Sequence, residues 1–140
     1  MSNTRYTVAI HVLTLLAYCG AEPLTSEFIA GSVNTNPVVI RRILSSLRAA
    51  GMVASQGGPG GGWQLLKNPE SINLRDVLLA VGEDGRFPLH SASPNIACPV
   101  GRTIQGILAQ RFQSAQEALE RDLARTTIAQ LVGEVQAKPA

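Results

Sequence analysis

The stretch Asn36-Pro37-Val38-Val39-Ile40-Arg41-Arg42-Ile43-Leu44 decides the fold. Asn36 carries a side-chain carbonyl that can cap a helix, and Pro37 suits the first helical position, where its missing N–H costs nothing. Ile40, Ile43, Leu44 and Leu47 recur at steps of three, one and three, which draws one apolar stripe. Arg41, Arg42, Ser45 and Arg48 fall off that stripe and face outward. Gly51 follows as a stop. The spacing predicts a short helix with a buried seam and an outer face of three arginines and no acid.

The residues before it predict a companion. In Leu24-Thr25-Ser26-Glu27-Phe28-Ile29-Ala30, Thr25 suits an N-cap, Glu27 suits the positive end of the dipole, and Leu24 and Ile29 stand at staple spacing. Asn34-Thr35 makes a tight polar break. Two short helices across such a turn form a helix-turn-helix, whose second helix can enter a major groove. Beyond Gly51, Met52-Val53-Ala54-Ser55 and Trp63-Gln64-Leu65-Leu66 are strand-like runs. Gln56-Gly57-Gly58-Pro59-Gly60-Gly61-Gly62 between them predicts a glycine hairpin, a wing. These glycines are not a nucleotide cradle: no G-x-x-x-x-G-K-[ST] pattern is present, and a strand rather than a helix follows the loop.

The wider composition bounds the rest. A chain of 140 residues with 45% hydrophobic content holds one domain plus an appended element. No apolar run approaches the ~18 residues of a membrane span, and no leader-like N-terminus is visible. The expected compartment is the cytoplasm, with no membrane partner. Net charge is +2, but residues 1–67 hold five bases against two acids, a balance of +3, while the remainder stands at −1. That split suits a nucleic-acid face joined to a different kind of surface. Two cysteines, Cys19 and Cys98, cannot build a four-thiolate metal site within one chain.

Around the core stretch, a first helix runs from Asn3 or Thr4 to Cys19, with Val8, Val12, Leu15 and Leu16 on one face and Gly20 as its stop. Asn73 caps a short helix through Val77, Leu78, Leu79 and Val81 to Gly82. Residues 83–98 have no period and read as a loop. A long helix follows from Pro99, with Ile104, Leu108, Phe112, Ala115, Leu119 and Leu123 on one stripe. Such a stripe, extending from a small domain, usually buries its seam against a symmetry mate. A last helix spans about Thr127 to Val135. The fold class is therefore mainly α with a small β-wing. A winged helix-turn-helix domain (1–82) precedes the loop (83–98) and a helical dimerisation region (99–140).

This order resembles the winged-helix regulators of the Rrf-two family, which includes IscR, NsrR and CymR. The resemblance rests on Arg5-Tyr6-Thr7-Val8-Ala9, Leu47-Arg48-Ala49-Ala50-Gly51-Met52-Val53, and Ser55 with Gly58-Pro59-Gly60-Gly61-Gly62-Trp63-Gln64-Leu65. Ile72-Asn73-Leu74-Arg75-Asp76-Val77, Cys98-Pro99-Val100-Gly101 and Ile104-Gln105 complete it, and the Asn36–Arg42 run looks most like the YwnA-type branch. It implies a homodimeric transcription factor, usually a repressor, paired through the long helix. Family members often carry a wing arginine, which can enter a narrow minor groove; Gln56-Gly57 stand there in this chain. Cluster-binding members carry three close cysteines before the long helix. Only Cys98 stands there, so no iron–sulfur cluster or other cofactor is expected.

The expected reading is a regulator that binds double-stranded DNA as a homodimer on a palindromic operator. Val38, Val39, Arg41 and Arg42 would reach base edges, with Ser45 beside them on the outer face. Thr25, Ser26, Thr35, Asn36 and Pro37 at the helix starts, and Arg5, suit phosphates. Ser55, Gln56, Gly57, Gly58, Pro59 and Gly60 form the wing contact. Cys98, before Pro99, falls at a helix N-cap, where a thiolate is favoured; it is the candidate for sensing oxidation. The alternatives are a small-molecule-responsive winged helix and a protein-binding winged helix without a redox role. Catalysis finds no support: His11 and His90 have no companion motif.

Overall fold

A computed structural model describes residues 4–82 and 86–139. Six helices and one hairpin follow in order: α1 (Arg5–Cys19), α2 (Ser26–Val33), α3 (Pro37–Ala49), β1 (Val53–Gln56), β2 (Gly62–Leu65), α4 (Leu74–Ala80), α5 (Pro99–Leu123) and α6 (Ile128–Ala137). A single 3-10 turn, Pro69–Ser71, links the hairpin to α4.

Local capping accounts for most of these boundaries. The Thr25 hydroxyl accepts from the Phe28 N–H at 3.0 Å, and the Asn36 carbonyl accepts from the Val38 N–H at 2.8 Å. Asn73 and Asp76 form a reciprocal capping box, as do Thr127 and Gln130. Asn34 closes α2 in the left-handed conformation at φ 63°, a place where asparagine is tolerated. Thr4 marks the start of α1 by position only, since its side chain makes no cap bond. Asn3, the other candidate, lies outside the described residues.

The core gathers Ala9, Val12, Leu13 and Leu16 of α1, Ile29 and Ala30 of α2, and Ile40, Ile43, Leu44 and Leu47 of α3. Met52, Val53, Ile72, Val77, Val81 and Ile128 complete it. All four stripe residues foreseen for α3 are at most 2% exposed. The Tyr6 hydroxyl donates to the Leu74 carbonyl at 2.6 Å, pinning α1 to the start of α4. Desolvation there pushes its phenol pKa upward.

Three features depart from the sequence expectation. The hairpin ladder reaches one residue further toward its tip: Gln56 pairs with Gly62, leaving 57–61 as the turn. Glycine at 62 tolerates the φ of 150° that this pairing requires. Second, the loop 83–98, which has no helix or strand in its described part as expected, also makes a packing contact that the sequence did not signal: Phe87 lies on Phe112 with centroids 5.3 Å apart; residues 83–85 lie outside the described set.

Third, α6 does not stay with α5. It folds back along α1, and Ile128 donates its N–H to the Ile72 carbonyl at 2.9 Å while its side chain is fully buried. The division foreseen at residue 99 is therefore crossed by the last helix. The long helix itself packs within the chain chiefly on α4. Its one buried residue is Gln116. Ile104, Leu108, Phe112 and Leu123 are half-buried, while Ala115 and Leu119 are exposed. Ile107 joins that open apolar surface at 52% exposure. No described helix is long and apolar enough to cross a membrane.

Candidate nucleic-acid interface

Helices α2 and α3 meet across Asn34 and Thr35, where the Thr35 N–H donates to the Ala30 carbonyl at 3.0 Å. Because Ile40, Ile43, Leu44 and Leu47 are drawn into the core, the opposite row of α3 must face solvent. Val38, Arg42 and Ser45 make that row, at spacings of four and three, and all three are exposed. Among the described residues the Arg42 guanidinium has no side-chain partner. This is the arginine at the centre of the outward face.

The other two α3 arginines are engaged. Arg41 sits toward α2 and pairs with Glu27 at 2.9 Å. Arg48, in the last turn, lies 5.4 Å over the Trp63 ring and reaches the Ser55 hydroxyl at 3.5 Å. Arg48 thus ties the end of α3 to both strands of the wing. Arg5, from the start of α1, donates to the Ser46 hydroxyl on α3. The expected phosphate residue therefore lies beside the second helix of the motif.

The helix-start residues divide. Thr25 and Asn36 are exposed, and each has spent an oxygen lone pair on its cap while keeping a donor. Thr35 and Pro37 are half-buried. Ser26, the first residue of α2, is by contrast largely buried, at 7% exposure. Ser55, Gln56, Gly57, Gly58, Pro59 and Gly60 are all exposed on the hairpin. Gly58 and Gly60 take φ of 80° and 76°, which a turn of this shape requires.

Sequence reasoning missed four participants. Glu27 was placed as a dipole residue and Trp63 as a strand residue, yet they hold Arg41 and Arg48. Leu24 pairs through its backbone with Trp63. Phe28 stands 55% exposed on α2. The three-arginine count was legible; which arginine is free depends on how α2, α3 and the hairpin cross.

Away from this face, Cys98 occupies the N-cap of α5 and is exposed, though its thiol makes no cap bond. Its N–H donates to the Asn95 carbonyl at 3.2 Å. A cavity of about 570 Å³ opens between α1 and α6, where Leu15, Tyr18, Leu131 and Val135 surround the His11–Ser32 hydrogen bond of 2.9 Å.

A helix-turn-helix with an outward row centred on Arg42 and a glycine-tipped hairpin defines a winged-helix DNA-binding regulator. The sequence model of Rrf2, described as an iron-dependent transcriptional regulator, matches residues 2–134. The chain belongs to the Rrf2 family of transcriptional regulators. It is 43% identical over 129 residues to the HTH-type transcriptional regulator YwnA of Bacillus subtilis, covering 91% of this chain and 94% of that one. IscR of T. potens shares the fold at a TM-score of 0.75 and 19% identity, covering 100% of this chain and 92% of that one. CymR of B. subtilis does so at 0.71 and 21%, covering 96% and 97%. The function of these relatives is regulatory, not enzymatic.

An iron–sulfur cluster is held by about four thiolate or imidazole donors. Cys98 is the only cysteine in the segment before α5, Cys19 ends α1, and no group of three His, Cys, Asp or Glu converges among the described residues. The donor set does not fit such a cluster.

Proposed function

We propose that this regulator is a repressor acting as a homodimer, with two copies of α3 laid into successive major grooves of a palindromic operator. The observation that carries this reading is the Val38–Arg42–Ser45 row, exposed and aimed away from the core that fixes it. Two-fold pairing along the open stripe of α5, from Ile104 to Leu123, would present two such rows with the symmetry of a palindrome. The region 99–123 is then the dimer-forming part, and 1–82 with α6 the reading part. Arg5, Thr25, Thr35, Asn36 and Pro37 supply phosphate contacts by donor groups and helix-start N–H groups. The hairpin from Ser55 to Gly60 lies along the sugar-phosphate edge.

Binding of the full chain to its own upstream promoter, followed by fluorescence anisotropy over a salt series, tests this. Affinity should fall steeply as salt rises, because phosphate contacts release counterions. Arg42→Ala should abolish preference for that promoter over random duplex. Salt-independent binding, or preference kept by Arg42→Ala, overturns the reading. Repression itself is read from a reporter fused to the same promoter.

The exposed Cys98 thiol at the α5 N-cap supports a redox input, because oxidation there would alter the junction between loop and dimer helix. Promoter binding should weaken with diamide in the wild type and stay unchanged in Cys98→Ser. A wild type indifferent to oxidant ends that reading and favours a small-molecule input, for which the cavity between α1 and α6 is the candidate.

A further inference from the structure

The first turn of α3 holds an anomaly of composition. The row of a surface helix opposite its buried stripe is ordinarily polar, yet Val38 opens that row and is 47% exposed. Val39, on the adjoining flank, is 40% exposed. Neither belongs to the core or to the partly buried residues packed against it. Helix propensity does not explain them either, since β-branched residues are poorer helix formers than alanine. The polar neighbour that could read bases by hydrogen bonding is partly committed, because the Asn36 side-chain oxygen accepts from the Val38 N–H. One turn further on comes Arg42.

A major groove presents one apolar group at its base edges, the C5-methyl of thymine, and one guanine edge made for arginine. We infer that Val38 and Val39 read thymine methyls while Arg42 reads an adjacent guanine, so that each half-site is a thymine step beside a guanine. The inference rests on the proposed DNA-binding reading and names the sequence class that this reading leaves open. Val38 and Arg42 are four residues apart, roughly 6 Å along a helix axis, or about two base pairs of duplex. The thymine and the guanine therefore fall within about two base pairs of each other. Valine has no hydrogen-bonding group, so its discrimination rests on methyl contact alone.

The test begins with selection of bound sites from a randomised duplex pool by the full chain. The expected consensus has thymine within about two base pairs of guanine in each half. In that consensus, each thymine is then replaced by deoxyuridine, which removes the methyl and keeps every hydrogen-bonding group. Wild-type affinity should fall about three- to fivefold at one or two positions per half-site, the worth of burying one carbon. Val38→Ala and Val39→Ala should lose that sensitivity while melting as the wild type does. A consensus without thymine there, or deoxyuridine neutral at every position in the wild type, overturns the inference and leaves the DNA-binding reading standing. Failure to enrich any sequence removes both.

Discussion

The main chains of Leu24 and Trp63 exchange two hydrogen bonds, each 2.8 Å long, in an antiparallel bridge. Leu24 immediately precedes the Thr25 cap of α2, and Trp63 lies under Arg48 of α3. One residue of the wing therefore fixes both helices of the helix-turn-helix. A glycine hairpin has little side-chain packing of its own to set its direction. The bridge supplies a fixed root, and the turn beyond it is confined to 57–61.

That root predicts an unequal response among the wing glycines. A Cβ at Gly62, where φ is 150°, would stand 2.6 Å from the Leu24 carbonyl oxygen. Relief requires the bridge to open. Gly62→Ala should cost about 2–3 kcal/mol and lower the melting temperature by roughly 5–10 °C. Gly57→Ala meets nothing within 4 Å and has no positive φ, so its melting curve should overlie the wild type. Equal melting of the two variants refutes this account of the bridge.

Arg48 should behave as a positioning residue for the wing. Its contact with Trp63 is partly exposed, worth about 0.5–1 kcal/mol. Trp63 is the only tryptophan in the chain, so Arg48→Ala should shift intrinsic fluorescence while reducing stability by that small amount. An unaltered emission spectrum would show that the stacking is not kept in solution.

The Arg41–Glu27 pair makes a prediction of opposite sign. Side chains exposed by 50% and 66% gain little from pairing, at most about 1 kcal/mol. Stability should hardly change in Glu27→Gln. Removing the acid beside the reading helix should instead raise affinity for random duplex at low salt by about three- to tenfold and narrow the specificity ratio. Anisotropy on random and cognate duplexes measures both, and a lower random-duplex affinity contradicts it.

Pairing through α5 is tested by charge on the stripe. Leu119 is 43% exposed in the single chain and outside the core cluster, so Leu119→Glu should leave the winged domain folded. It should convert a dimer into a monomer by light scattering and cut duplex affinity at least tenfold, since one set of phosphate contacts is lost. A monomeric wild type would contradict the pairing directly.

Much of this architecture was legible because its signals are local. Caps at Thr25, Asn36 and Asn73, the stripe from Ile40 to Leu47, and the glycines of the wing each lie within a few residues of what they determine. What stayed hidden depends on crossings. Arg41 and Glu27 are fourteen residues apart, and only the angle between α2 and α3 brings them together. The Leu24–Trp63 bridge is made of backbone atoms and leaves no side-chain signature. Ser26 was expected among the helix-start groups open to phosphate, yet as the first residue of α2 it is only 7% exposed, which its neighbours in sequence do not reveal. The return of α6 onto α1 was invisible because its apolar face fits a symmetry mate or its own chain equally well.

The junction of α4 and α5 should be sensitive to acid. Glu120 accepts from the Gln116 amide with one carboxylate oxygen and from Arg75 with the other, both at 2.9 Å. The Gln116 bond, aided by Arg75 and by the charge of Arg86, holds its pKa below the usual carboxylate range, against the opposing effect of desolvation. A lowered folded pKa means the folded state binds fewer protons than the unfolded chain as acid is added. The stabilisation is therefore present above the unfolded value of about 4.3 and disappears as pH falls through the lower folded value. Glu120→Gln removes the titrating group. The gap in urea midpoint between wild type and variant should be constant well above the unfolded value and close as pH falls through the lower folded one. A gap that does not narrow with acid would mean that the variant acts through packing around Gln116 rather than through the carboxylate charge.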